Sequence, residues 1–129
     1  MAKDDCRGGF DKADVLERDW KLFRKRLPGW QEAWMDKLNQ EYIELLSGEK
    51  APSEKFWALW DRMREDKRHP GVIVEGCRRS TMHATIFELL DDGTITMDDL
   101  DGFSDEFVQS MVDSFKRRER FRSYKAVEE

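Results

Sequence analysis

The stretch Asp92-Gly93-Thr94-Ile95-Thr96-Met97-Asp98-Asp99 is the segment closest to a ligand-binding motif. It matches the second half of a calcium-binding EF-hand loop, which places glycine sixth, an aliphatic residue eighth and an acid twelfth. Gly93, Ile95 and Asp99 fill those places, but counting back puts Glu88 first and Leu90 third. Calcium needs an oxygen at the third position, and leucine has none to offer. A plain turn between helices is therefore expected, with Ile95 plugging the core and no metal bound.

Other chemistries are equally thin. His69 and His83 are the two histidines, and base or metal chemistry would need a carboxylate or thiol at a matching spacing. His69 precedes Pro70 in what reads as an exposed turn, and His83 reads as a surface or boundary position. Cys77 lies inside a helical pattern and is expected to be a buried structural thiol. Gly8-Gly9 leads into no strand–helix pattern, so no phosphate loop is present. These observations predict no catalytic residue, no cofactor and no enzyme. The aromatic pairs Trp30/Trp34 and Trp57/Trp60 could form a ligand cage, but tryptophans at helical spacing are expected in the core. Trp57 is the exception, because it falls beside the Phe56–Trp60 face and is expected to be partly exposed, as binding hot spots are.

Charge carries the functional signal. Between Ser80 and Ser114 there is no Lys or Arg, against nine acids: Glu88, Asp91, Asp92, Asp98, Asp99, Asp101, Asp105, Glu106 and Asp113. Directly afterwards Lys116, Arg117, Arg118, Arg120, Arg122 and Lys125 stand against the single acid Glu119, with Phe121 and Tyr124 interleaved. The acidic stretch could engage a basic groove on another protein, with Asp91, Asp92, Asp98, Asp99, Asp101, Asp105 and Glu106 as its contacts and Trp57 as an anchor. The basic stretch could instead grip phosphates while its rings stack on bases. A net charge of −5 favours the first.

The elements that must position these residues read as helices. Leu16, Trp20, Phe23 and Leu27 form one stripe that is expected to end at Pro28-Gly29. Trp30, Trp34, Leu38, Tyr42 and Leu45-Leu46 form a second, stopped by Gly48. Pro52-Ser53-Glu54 starts a third helix with Ser53 as N-cap and a core face of Phe56, Leu59, Trp60 and Met63. His69-Pro70-Gly71 closes it. A fourth is expected from Val72 to Leu90, with Ile73, Cys77, Ala84, Ile86, Phe87, Leu89 and Leu90 inward. Thr96 caps a single turn through Leu100, and Ser104 caps a last helix carrying Phe107, Val108, Met111, Val112 and Phe115. The expectation is an all-α bundle of five to six helices. Residues 1–12 would be a mobile segment, 13–124 the helical domain and 125–129 a tail.

The bulk properties agree. The chain has 129 residues, 39% hydrophobic and 40% charged, enough to bury a core. All five tryptophans lie in the first half, which predicts that the core is seeded there. Two cysteines, Cys6 and Cys77, form no disulfide framework and fit a reduced, cytoplasmic setting. Met1–Phe10 has no apolar run and does not read as a signal peptide. The longest aliphatic run, Val72-Ile73-Val74, falls far short of the roughly 20 residues of a membrane span. No membrane partner is expected.

Pro28-Gly29-Trp30-Gln31-Glu32-Ala33-Trp34-Met35, with Tyr42-Ile43-Glu44-Leu45-Leu46-Ser47-Gly48, resembles a family of short uncharacterised bacterial helical proteins. Ser53-Glu54-Lys55-Phe56-Trp57 and Asp99-Leu100-Asp101-Gly102-Phe103-Ser104-Asp105-Glu106 are similar to the same family, so the resemblance spans Ala13 to Phe115. It implies a compact bacterial or phage-borne helical protein and supplies no catalytic residues. The multidrug-transporter label that some members carry does not suit a chain with no span. The expected function is a non-enzymatic module that occupies a surface on a macromolecular partner. A phage-derived inhibitor of a bacterial nuclease, such as an anti-CRISPR protein, is one concrete form. The alternative is an RNA- or DNA-binding protein using the basic end.

Overall fold

A computed structural model describes residues 12–128 of the chain, with the side chains of residues 16–123. The segment expected to be mobile, including Cys6, lies up to residue 11 outside the described residues, as do the side chains of Tyr124 and Lys125. The described residues hold four α-helices: α1 (Lys12–Ser47), α2 (Pro52–Asp66), α3 (Met82–Asp91) and α4 (Asp105–Glu128). Two short 3₁₀ turns, Arg79–Thr81 and Met97–Leu100, join them, and no strand occurs among the described residues. The all-α class is as expected; the count of five to six helices is corrected to four.

The correction begins at Pro28. The chain does not break there, and α1 runs 36 residues straight through Pro28 and Gly29. Proline in a helix interior forfeits one hydrogen bond and crowds the preceding turn, at about 3 kcal/mol. The apolar stripe explains why that is tolerated: Phe23, Leu27, Trp30, Trp34 and Leu38 keep helical phase across Pro28 without a slip. Burial on both sides of the proline holds one helix together. Gly29 keeps a negative φ, and open space surrounds the place a Cβ would take.

The second correction lies between α2 and α3. Val72 to Arg78 is not helical, and only Met82–Asp91 forms α3. Gly76 adopts φ +65°, outside the right-handed helical region. Thr81 then closes the 3₁₀ turn by accepting the Arg78 N–H on its hydroxyl at 3.1 Å. Ile73 and Cys77, expected inward, are exposed, as is Ala84. Ile86 and Leu89 are buried as expected, and Met82 completes that face, at steps of four and three. The N-cap of α2 also shifts by two residues. Ala51 takes that place, Pro52 opens the helix, and Glu54 Oε1 accepts the Ala51 N–H at 3.1 Å.

Two compact units divide the chain. A terminal unit combines the described residues up to Lys25 with those from Thr96 onward, and a central unit comprises Arg26–Ile95. In the terminal unit Trp20, Phe23, Leu100, Phe103, Phe107 and Met111 are buried. In the central unit Leu27, Leu38, Met82, Ile86, Leu89 and Ile95 are buried. The expected Trp-rich seed is therefore corrected: Trp20 is the one buried tryptophan, while Trp57 and Trp60 are exposed. Large side chains at helical spacing say which residues share a face, not whether another element covers it. None of the described helices is long and apolar enough to cross a membrane.

Candidate protein-binding surface

In the terminal unit the segment after Thr96 is held by two short caps. The Thr96 N–H donates to Asp99 Oδ2 at 2.8 Å, which closes the 3₁₀ turn Met97–Leu100. Leu100 is buried at the end of that turn. Gly102, at φ +96°, then reverses the chain where a side chain would be strained. Phe103 is buried, and Ser104 Oγ caps α4 by accepting the Phe107 N–H at 3.1 Å. These anchors pin the two apolar residues and leave Asp101 between them, and Asp98 and Asp105 on either side, outside.

The result is an open depression of about 530 Å³ lined by Met97, Asp98, Leu100, Asp101, Phe103, Asp105 and Val108, together with Gly102. Asp98, Asp101 and Asp105 are exposed, and no basic side chain lines the cavity. Three carboxylates around an apolar floor attract cations and leave a methionine and a valine for contact.

The structure sorts the other expected contacts. Asp99 is half-buried and spent on the Thr96 cap, and Glu106 is exposed in the first turn of α4 without lining the depression. Asp91, Asp92 and Trp57 belong to the central unit, at the end of α3 and on α2. Asp92 is also engaged: its Oδ1 accepts the Thr94 N–H at 3.3 Å and the Thr94 hydroxyl at 2.7 Å, and its Oδ2 meets His69 Nε2. Gly93 sits at φ +82° and Ile95 is buried, so the calcium-like segment is a helix-ending turn. Among the described residues no three His, Cys, Asp or Glu side chains converge on a metal site.

No protein-family model, curated protein or solved structure matches the chain.

His69 lies in the expected turn before Pro70, but its side chain is half-buried rather than exposed. Its ring is part of a packed latch in the central unit, stacked on Trp34 with centroids 4.5 Å apart and planes 14° from parallel. Its Nδ1 accepts the Gly71 N–H at 2.8 Å, which leaves the proton on Nε2 to be donated to Asp92. Both ring nitrogens are occupied. An imidazole so held orients a turn and has no lone pair left for a substrate proton. Gly71 makes the stacking possible, because a Cβ there would fall 2.4 Å from Trp34 Cδ1. The signal in the sequence was the His-Pro-Gly turn itself. A second hollow in this unit, about 570 Å³, is lined by Lys67, Arg68, Glu75 and Glu88 with Val72–Val74, and its balanced charge selects no ligand.

The basic stretch does not form one face. Lys116, Arg117, Arg118, Arg120, Phe121 and Arg122 follow one another along α4, and at 100° per residue they spread around most of its circumference. Three of the arginines fold onto their own helix. Arg117 Nη2 donates to Ser114 Oγ at 3.0 Å, Arg118 lies over the Phe115 ring at 5.1 Å, and Arg122 Nη1 sits 3.9 Å from Glu119. Phe121 is exposed.

Proposed function

We propose that the protein is a non-enzymatic binding module that places its acidic depression against a basic surface of a macromolecular partner. The carrying observation is the lining of that depression: Asp98, Asp101 and Asp105 around Met97, Leu100, Phe103 and Val108, with no cation among them. Uncompensated carboxylates repel one another and gain when a cationic surface arrives, while the apolar floor gives the contact area that charge alone lacks. The occupied nitrogens of His69 support a binding role over an enzymatic one. One concrete form is an inhibitor seated in a groove that its partner uses to hold nucleic acid, as an anti-CRISPR protein of phage origin would be.

Capture from a bacterial lysate, read by mass spectrometry, tests this with two variants. A triple reversal Asp98→Lys, Asp101→Lys, Asp105→Lys is expected to lose the proteins that the unaltered chain retains, and Lys116→Ala with Arg120→Ala is expected to keep them. Unchanged capture by the triple reversal removes the acidic surface from consideration. Retention of single-stranded RNA or DNA that fails with Lys116→Ala and Arg120→Ala would put nucleic-acid binding in its place.

A further inference from the structure

Helix α2 is amphipathic, yet it turns its charged side to α1. Arg62 pairs with Glu41 and, through Nε, with Asp66 at 3.0 Å, while the Tyr42 hydroxyl donates to Asp66 Oδ2 at 2.6 Å. None of its residues is buried. On the other side Phe56 is 61% exposed, Trp57 59%, Trp60 54% and Met63 49%. At 100° per residue these four span about a third of the circumference, so they form one stripe. We propose that this stripe is the interface of a homodimer, in which α2 of one copy packs antiparallel against α2 of a second about a two-fold axis at Trp60.

The residues on the stripe are self-complementary in that register, as a two-fold interface requires. Reversing α2 about Trp60 sets Trp60 against its own mate and Trp57 against Met63 of the second copy. It also sets Phe56 against Arg64 and Ser53 against Lys67. An indole pair, a thioether beside an indole and a guanidinium over a phenyl ring are each favourable contacts. Arg64 is available for this, since Asp61 lies at 4.0 Å and both side chains are largely exposed. Antiparallel packing also opposes the helix dipoles. The stripe exposes roughly 500 Å² of side chain per copy, so a pair that covers it completely buries at most about 1,000 Å², the threshold for a specific interface. This contact uses none of the residues of the acidic depression and stands or falls apart from it.

Analytical ultracentrifugation of the full chain, from about 1 to about 100 μM, reads the proposal directly. A monomer–dimer equilibrium is expected, weakened at least about tenfold by Trp60→Glu with the helical circular dichroism unchanged. Trp60→Cys in a Cys6→Ser, Cys77→Ser background is expected to form a disulfide-linked dimer on oxidation, which also covers a Trp60→Glu that misfolds. A chain monomeric throughout that range, or a dimer indifferent to Trp60→Glu and uncrosslinked through residue 60, overturns the proposal.

Discussion

The carboxylate of Asp19 holds Ser104 from 85 positions away in the chain. It is 1% exposed and accepts the Ser104 N–H at 2.8 Å and the Ser104 hydroxyl at 2.6 Å. Ser104 Oγ in turn caps the first turn of α4. One buried acid thus fixes where α4 begins, and with it the Asp105 edge of the acidic depression.

Asp19→Ala is expected to destabilise the protein by about 3 kcal/mol, since it orphans a backbone N–H and frees the capping hydroxyl to turn away. Asp19→Asn keeps one acceptor oxygen and should lose about half of that, because bonds to an ionised acceptor are the stronger. Urea denaturation of the three proteins ranks them. Equal stability of Asp19→Ala and the unaltered chain would contradict the role given to this pair.

Two glycines should respond to alanine with opposite signs. Gly29 lies in α1 at negative φ with nothing within 4 Å of a Cβ, so Gly29→Ala is expected to stabilise by about 0.5–1 kcal/mol. A thermal melt with a raised midpoint checks it, and a lowered midpoint would mean that α1 needs flexibility beside Pro28.

Gly71→Ala is the counterpart. A Cβ there would lie 2.4 Å from Trp34 Cδ1 and 2.6 Å from Cγ, and the indole is stacked on His69 behind it. Ring and turn must separate, so a loss of about 1–3 kcal/mol is expected, as for other overpacked sites. A red shift of tryptophan emission should accompany it. Full stability with unchanged fluorescence would show that the turn yields freely.

Helix faces were legible: Met111 and Phe107 on α4, Leu38 on α1, the Thr96 and Ser104 caps and the burial of Ile95 all follow from spacing and cap chemistry. Pro28-Gly29 is a helix stop by local punctuation alone, but the phase of the stripe, unbroken from Phe23 through Leu38, overrides it. The stripe Phe56–Met63 differs, since periodicity cannot tell a buried face from an exposed one. The depression was half legible. Its acids stood out by composition, but only the fold separates Asp98, Asp101 and Asp105, which line it, from Asp99 and Asp92, which serve as caps and latches.

Tyr42 supplies a pH signature for the contact between α1 and α2. Burial, followed by the hydrogen bond to Asp66 and the charge of that carboxylate, pushes the Tyr42 phenol up from 10.0 to about 12. The neutral phenol is the form the fold favours, because a phenolate would lose its donated bond and face Asp66. Its contribution to stability is therefore complete below pH 10, falls as pH rises between 10 and 12, and is gone above the folded value. Ultraviolet titration should show a late tyrosinate step that Tyr42→Phe deletes. The same variant should be less stable than the unaltered chain at neutral pH and lose less stability across the alkaline window. A late step that survives in Tyr42→Phe would assign it elsewhere and leave the Tyr42–Asp66 bond without its expected effect.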